Sequence, residues 1–590
     1  MHGIMILSFL DWAIIIGFFA IALIIGVLSA RKAGQSADEF FLSGKNMPCW
    51  LLGVSMVATT FSTDTPNLVT DIVRQDGVSG NWVWWAFLLT GMLTVFVYAR
   101  LWRKSGLTTD LAFYELRYGG DGAMILRVFR AFYLGVAFNI LAMSGVALAA
   151  IKIGEVMLGW GAWQTIGITS LITVVFSFLG GLRGVVLTDF LLFFVSMIGA
   201  LGAAIVAVDV ADVGGLSGLL AHENVSDKLA FVPDFNDPAL FLSIFLIPIV
   251  VQWWSSWYPG AEPGGGGYIA QRMLAAKNEK NAVAATLFFN VAHYALRPWP
   301  WIIVALASLV MFPDLDSLAT AFPNISEDKL GHDLGYPAML TFLPSGLMGI
   351  VIASLAAAYM STVSTHLNWG SSYFVYDVYK RVINPEATEK QQVMVGRIST
   401  IVMMILAVLF ALVLTNAKQL FDIILMFGAG TGLIFILRWF WWRINIWSEI
   451  SAMIFSGVFA ILAKFTPLLS FMNEDYHFPF SVLCTTIVWI IATYATPPEN
   501  EEILINFVKK IKPGGPGWAA YNQYAGEEKS AAWQVPYGIL AMIGGCMLVY
   551  GMLFFVGSVL YQQFEMSIVY MISAVIGVFI IVKAWPRLQL

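Results

Sequence analysis

Residues 59–67 read Thr59-Thr60-Phe61-Ser62-Thr63-Asp64-Thr65-Pro66-Asn67 and lie in the middle of an apolar run. Trp50–Ala58 precedes them, and apolar residues resume at Leu68. Pro66 has no N–H to give to the carbonyl of Ser62, and its ring crowds the preceding turn. A helix passing through this stretch must therefore open. If the run lies in a membrane, opened polar backbone survives only where it lines a cavity or is buried in protein.

Composition puts the run in a membrane. Of 590 residues, 59% are hydrophobic and only 12% charged, with a mean hydropathy of +0.78. Soluble domains carry about 25% charged residues, and a soluble chain of this length cannot hide so much apolar surface. A span needs about 20 apolar residues and must satisfy its own backbone, so helices are expected. Cys49, Cys484 and Cys546 are scattered without metal-ligand spacing and read as small hydrophobes. Ser8–Ala30 lacks a preceding basic region and is too long for the core of a signal peptide, so it too reads as a transmembrane helix.

Working outward from 59–67, the apolar runs give about fifteen spans. The least distinct boundary is at Gly180–Gly184. With the N-terminus outside, roughly 25 of the 32 Lys and Arg fall on one side, which the positive-inside rule makes cytoplasmic. The C-terminus is then cytoplasmic as well. Residues 498–533 read as a cytoplasmic linker with Pro513-Gly514-Gly515-Pro516-Gly517 as its hinge.

Five spans after the first break the signal recurs. Phe241–Trp254 is apolar, and then Pro259, Pro263 and Gly264–Gly267 interrupt the run before Tyr268. Interrupted spans at matching places in two halves are the sequence mark of a secondary transporter's binding site. The division that follows has an extra N-terminal helix and loop at 1–46 and a first repeat at 47–208. An outer loop at 209–238, a second repeat at 239–442 and C-terminal extra helices at 443–590 complete it.

Several stretches now resemble the sodium:solute symporter family, whose members include sodium–glucose, sodium–proline and sodium–sialic acid transporters. They are Ser36-Ala37-Asp38-Glu39-Phe40-Phe41-Leu42-Ser43-Gly44-Lys45, and Gly180-Gly181-Leu182-Arg183-Gly184 followed by Thr188-Asp189. Further along come Gln271-Arg272-Met273-Leu274-Ala275-Ala276-Lys277, Ser361-Thr362-Val363-Ser364-Thr365-His366-Leu367-Asn368, and Arg438-Trp439-Phe440-Trp441-Trp442-Arg443. The resemblance implies an all-α, LeuT-type fold of two inverted five-helix repeats, with one helix before and about four after. It also implies alternating access driven by sodium at the plasma membrane. The family often carries an aromatic residue, Asn and Gln before its Gln-Arg motif. Here the run 255–267 stands instead.

For sodium, a hard cation that prefers oxygen, the resemblance places a first site at the carbonyls of Ala58, Phe61 and Ala358 with the hydroxyls of Ser361 and Thr362. It suggests a second site at Asp189, where Ser361, Ser364 and Thr365 share a helix face. Ser and Thr also commonly bond back to their own helix. Asp64 and Asp189 are carboxylates inside spans, each costing about 2.5–3.5 kcal/mol to insert. Asp64 suits a substrate hydroxyl or amine, or a half-helix cap. Asn290, His293 and Arg297 share one face; Arg297 needs a carboxylate, carbonyls or an anionic substrate. Trp84, Trp85 and Trp257 are candidate stacking surfaces, set against the commoner use of Trp as an interfacial anchor. Asp64, Thr65, Asn290, Arg297 and Phe427 are expected to face the cavity between the breaks.

The function expected is sodium-driven uptake of a small polar solute (a sugar, polyol, amino acid or carboxylate), with membrane lipid as surroundings and no nucleic-acid partner. The alternatives are a polytopic enzyme or a non-concentrating channel or solute sensor. A haem oxidase needs several intramembrane histidines, and only His293 and His366 of the six fall in spans. An acyltransferase built on His366 leaves the Ser/Thr run around it unexplained.

Overall fold

The computed structural model describes residues 7–60, 62–257, 260–323, 325–414, 417–525 and 533–588. Among these the chain is helical, and the only β pairing is an isolated bridge between Met47 and Ala276. Among the described residues twelve helices are long and apolar enough to cross a membrane.

The first, α1 (Phe9–Ala33), turns large apolar side chains such as Phe9, Ile16 and Leu28 outward and buries small ones such as Ala22 and Gly26. That distribution suits a helix bathed in lipid on one side. The first interrupted run forms two pieces, α2 (Cys49–Thr60) and α3 (Asp64–Asp76). Next come α4 (Val78–Ser105), α5 (Gly120–Leu158) and α6 (Ala162–Asp209). The 48 residues of α6 are two rods joined at Gly181, whose φ of 53° and ψ of −164° lie where glycine is favoured. A Cβ there would meet the Phe40 carbonyl at 2.7 Å. The indistinct boundary at 180–184 is thus a sharp bend without a loop.

The second half repeats the plan. The helix α7 (Pro238–Ser255) stops, irregular backbone follows, and α8 (Gly267–Ala275) resumes. Then come α9 (Glu279–Met311), α10 (Leu347–Ile383) and α11 (Glu389–Ala411). A third interruption separates α12 (Ala417–Gly428) from α13 (Gly432–Leu437) at Gly430, φ 85°. The N–H of Gly430 donates to the Ser255 carbonyl at the end of α7 (2.8 Å), so the second and third breaks meet. The first and second are tied at their other ends, where Met47 exchanges backbone hydrogen bonds with Ala275 and Lys277 (3.1 and 2.9 Å).

Beyond the core lie α14 (Ile446–Phe465), α15 (His477–Ala495), α16 (Glu501–Ile511), α17 (Val535–Leu560) and α18 (Phe564–Ala584). The stretch expected to be a linker is in part docked. Leu504, Phe507, Val508 and Ile511 of α16 are buried, and Trp518 donates to the Trp439 carbonyl at 2.9 Å. Arg117, fully buried, donates to the carbonyls of Arg438, Trp441, Trp442 and Ile444 and caps the chain as it leaves α13.

Candidate ion and solute site

A helix leaves its last four carbonyls without intrahelical donors. At the end of α2 these belong to Val57, Ala58, Thr59 and Thr60. Arg297 of α9, 0% exposed, donates to the carbonyls of Val57 (2.7 Å) and Thr60 (3.0 Å) and to the Thr60 hydroxyl (3.0 Å). Its guanidinium lies 5.0 Å over the Trp301 ring and 3.2 Å from His293 Nδ1. A permanent cation therefore sits at the negative end of the α2 dipole. Thr362 of α10 takes the Thr59 carbonyl (2.6 Å). Ala58 supplies the fourth. Of these four it is the one that the resemblance implies as a sodium ligand.

Beside this end lies Asp189, on α6 and 0% exposed. Ser361 of α10 donates to one carboxylate oxygen (2.5 Å) and Ser55 of α2 to the other (2.6 Å). The hydroxyls of Thr59 and Thr365 meet at 3.0 Å, and Arg272 of α8 donates to Thr365 (2.7 Å). Four elements thus converge on one oxygen-rich cluster that includes both broken helices. Each hydroxyl has one proton and two lone pairs, so a serine that gives its proton to Asp189 keeps lone pairs for a hard cation. Ser361 and Thr362 reach Asp189 and the Thr59 carbonyl here, and Ala58 and Ala358 are both buried. Phe61 lies outside the described residues. Of the suggested second set, Ser361 bonds Asp189 directly. Thr365 is instead engaged by Arg272 and Thr59, and Ser364 bonds back to the Ser361 carbonyl (3.1 Å).

A cavity of about 100 Å³ opens between the breaks. Asp64 and Thr65 line it from the first break, and Gly260 and Ala261 from the second. Trp84, Tyr268, His293, Tyr294 and His366 form its walls. One Asp64 oxygen is buried with no hydrogen-bond partner. Trp84 is anchored through Nε1 to Asn81 Oδ1 (2.8 Å) and stacks on Tyr294 at 5.9 Å. The Asn139 amide donates to the His366 carbonyl (2.6 Å), and its Oδ1 meets His366 Nδ1 at 2.5 Å. That places the ring proton on Nδ1 and leaves Nε2 an acceptor. Aromatic faces beside a carboxylate, hydroxyls and imidazoles suit a small polar solute.

Residues 40–456 match the family model described as SSF, the sodium:solute symporter family. The chain belongs to that family. It is a multi-pass membrane protein that couples solute movement to sodium. It is 28% identical to a sodium/glucose cotransporter of Vibrio parahaemolyticus, covering 85% of this chain and 92% of that one. It is 26% identical to a sodium/sialic acid symporter of Proteus mirabilis, covering 83% and 95%. A solved structure of a sodium-coupled sialic acid symporter, substrate-bound and outward-open, superposes with a TM-score of 0.65 at 22% identity, covering 84% of this chain and 99% of that one. The last likeness establishes the LeuT-type fold.

Within this symporter, other residues singled out by sequence stand away from the central cavity. Trp85 packs on Phe554 of α17 (5.8 Å) while Trp84, one position earlier, points inward; neighbours on a helix diverge by about 100°. Trp257 and Phe427 pack on Phe138 (4.9 and 5.9 Å) behind the second and third breaks. From the same helix as Phe427, Ile424 reaches the cavity. Asn290 bonds the Thr286 carbonyl (2.9 Å) and lines a smaller neighbouring pocket. Arg297 meets carbonyls, one of the three partners that its charge required. Sequence reasoning left out Ser55, Thr59, Tyr268 and the contact of Arg272, which sits in a quoted motif. Ser55 lies four residues before Thr59, the α-helical spacing that puts both on one face.

Proposed function

We propose that this symporter carries a small polyhydroxylated solute, of the sugar or polyol class, into the cell down the sodium gradient. The observation that carries this reading is the cluster in which Ser55 and Ser361, from α2 and α10, hold Asp189 beside the opened end of α2. A cation bound there bridges two elements of the fold, so its binding energy differs between their arrangements, which coupling requires. The first sodium site is read as Ala58, Phe61, Ala358, Ser361 and Thr362. A second is read at Asp189 with Ser361, with Ser55 replacing Ser364 and Thr365 as its nearer neighbour.

Asp64, Thr65 and Trp84, with Tyr268 and His366, are read as the solute contacts. An acceptor carboxylate and an acceptor imidazole suit hydroxyl donors, and flat aromatic rings suit a sugar face. The transported solutes in the relatives' names, glucose and sialic acid, favour the same class. Counting α6 as two crossings, pairing α2 with α3, α7 with α8 and α12 with α13, and leaving out the short α16 gives fifteen crossings. The inverted repeats are then 47–208 and 239–442, with the N-terminus outside, the C-terminus inside and the plasma membrane as the site.

Reconstitution into liposomes with an inward sodium gradient, screened against a pooled metabolite library, tests the reading. Uptake of a sugar or polyol that stops when potassium replaces sodium is expected. Uptake driven equally well by a proton gradient alone would overturn it.

A further inference from the structure

The run 255–267 spans the second break, and Glu262 is its one charged residue. Gly260 and Ala261 face the central cavity. Glu262 instead lines a smaller pocket of about 10 Å³, with Asn290, Thr286 and Gly91 among its other walls. About 10–15 Å³ accommodates one water-sized particle. The central cavity and this pocket share Gly260, Ala261 and Phe289, so the segment around 260 is the partition between them.

Two residues that line this pocket carry a buried acceptor with no hydrogen-bond partner, Glu262 Oε2 and Asn290 Oδ1. Asn290 is 1% exposed, and its amide nitrogen is committed to the Thr286 carbonyl, so only its oxygen is available. Two hydroxyls nearby are already engaged. Thr90 donates to the Trp253 carbonyl and Thr286 to the Ala282 carbonyl. On the far side of Glu262, Asp110 accepts from the Tyr373 hydroxyl (2.5 Å) and the Gly267 N–H (3.0 Å). Arg438 is paired with Glu449 (3.2 Å); Arg130 lies over the Phe435 ring (5.1 Å) with Nη1 on Met453 Sδ (3.6 Å), and its Nε has no hydrogen-bond partner. Among the described residues none makes an ion pair with Glu262. A carboxylate at membrane depth is stable when its charge is cancelled. One positive, water-sized particle would cancel it and satisfy both acceptors.

We propose that Glu262 and Asn290 form a binding site for one monovalent cation, a sodium ion or a proton, separate from the Asp189 cluster and just behind the wall of the central cavity. Its place in a transport cycle rests on the symport reading above. Binding itself does not.

The test uses purified full-length protein in lipid nanodiscs and needs no solute. Radioactive sodium binding at equilibrium counts ions per protein, and a weakly buffered titration between pH 9 and 5.5 counts protons. Glu262→Gln is expected to bind one sodium fewer than wild type if the occupant is sodium. If the occupant is a proton, sodium binding is unchanged and the variant takes up one proton fewer over that range. Glu262→Asp keeps the cation at weaker affinity. Asn290→Leu, a second variant in case Glu262→Gln fails to fold, lowers affinity for the same cation about tenfold. Sodium and proton counts both unchanged in folded Glu262→Gln would overturn the proposal. The double variant Ser361→Ala with Thr362→Ala is the separate arm. Loss of sodium there, with sodium and proton counts both unchanged in the Glu262 variants, leaves the symport reading standing alone, and the converse leaves this site standing alone.

Discussion

The two broken helices solve one physical problem in opposite ways. Between α2, which ends at Thr60, and α3, which starts at Asp64, the gap is short, and a neighbouring cation takes up freed carbonyls, with Arg297 on Val57 and Thr60. Between α7 and α8 eleven residues separate Ser255 from Gly267, and glycines at positive φ (Gly260, Gly264 and Gly265) fold the backbone. The first break thus has a fixed positive charge, Arg297 of α9, bonded to its backbone, beside a carboxylate of its own, Asp64. The second carries a carboxylate, Glu262, with an unsatisfied oxygen. A break whose carbonyls are held by protein suits a rigid ion site, and a glycine-rich break suits backbone that moves.

Removing the charge at each break tests this contrast most severely. Hydrogen bonds to charged groups contribute about 1.5–3 kcal/mol each. Arg297→Gln gives up two such bonds to buried carbonyls and should lose on the order of 3–5 kcal/mol of stability. Thermal unfolding in nanodiscs checks this, and transport should be abolished. Glu262→Gln keeps an acceptor oxygen for the Gly260 N–H and should unfold near the wild-type temperature. Equal losses from the two would erase the distinction.

The next effect sharpens the first break's role. Asp189→Asn removes a charge held by Ser55 and Ser361, so half-maximal sodium concentration should rise at least tenfold, the equivalent of about 1.4 kcal/mol. A sigmoidal sodium dependence should become hyperbolic, and the sodium-to-solute flux ratio should fall from two to one. A ratio of one in both proteins would reject a second transported ion. Ser55→Ala should weaken sodium binding in the same sense as Ser361→Ala.

These experiments divide along the line of what the sequence discloses. The breaks were legible because proline, glycine and a polar stretch inside an apolar run have a local cause. Ser361, Thr362 and Asp189 were legible through family-like motifs. The partner of Arg297 was narrowed to a carboxylate, carbonyls or an anion, since the charge itself is certain. The choice of carbonyls depends on how α9 lies against α2, 240 residues away, and no local pattern holds that information. The same limit explains Ser55 on Asp189, across 134 residues. It also explains the tryptophans: periodicity separates the faces of Trp84 and Trp85 but does not say which face meets the cavity. Ser364 shows the opposite limit, since a hydroxyl on the right face can still turn back to its own helix.

At the second break the glycines themselves are testable. Gly265 has φ 79°, and a Cβ there would lie 3.0 Å from both Met273 Cε and Trp102 Nε1. Gly265→Ala should cost about 1–2 kcal/mol from the left-handed backbone alone. Because the strain falls on the irregular segment, the maximal transport rate should drop more than sodium affinity. A fall in sodium affinity with an unchanged rate would assign this glycine to the ion site.

The smallest expected effect concerns the join between the second and third breaks. Ser256 Oγ donates to the Leu425 carbonyl at 2.7 Å, one turn before α12 ends. A neutral hydrogen bond of this kind contributes about 1 kcal/mol net. Ser256→Ala should therefore lower stability by about that amount and leave the fold intact. The bond links α7 to α12 and makes no contact with Asp189, Ser361 or Ser55, so the sodium dependence should stay within about twofold of wild type. The same change at Thr362 removes a bond of similar length, to the Thr59 carbonyl, and should shift sodium affinity severalfold at a similar cost in stability. If Ser256→Ala moved sodium affinity as far as Thr362→Ala, the two breaks would act as one coupled unit. The division into a held break and a moving break would then fail.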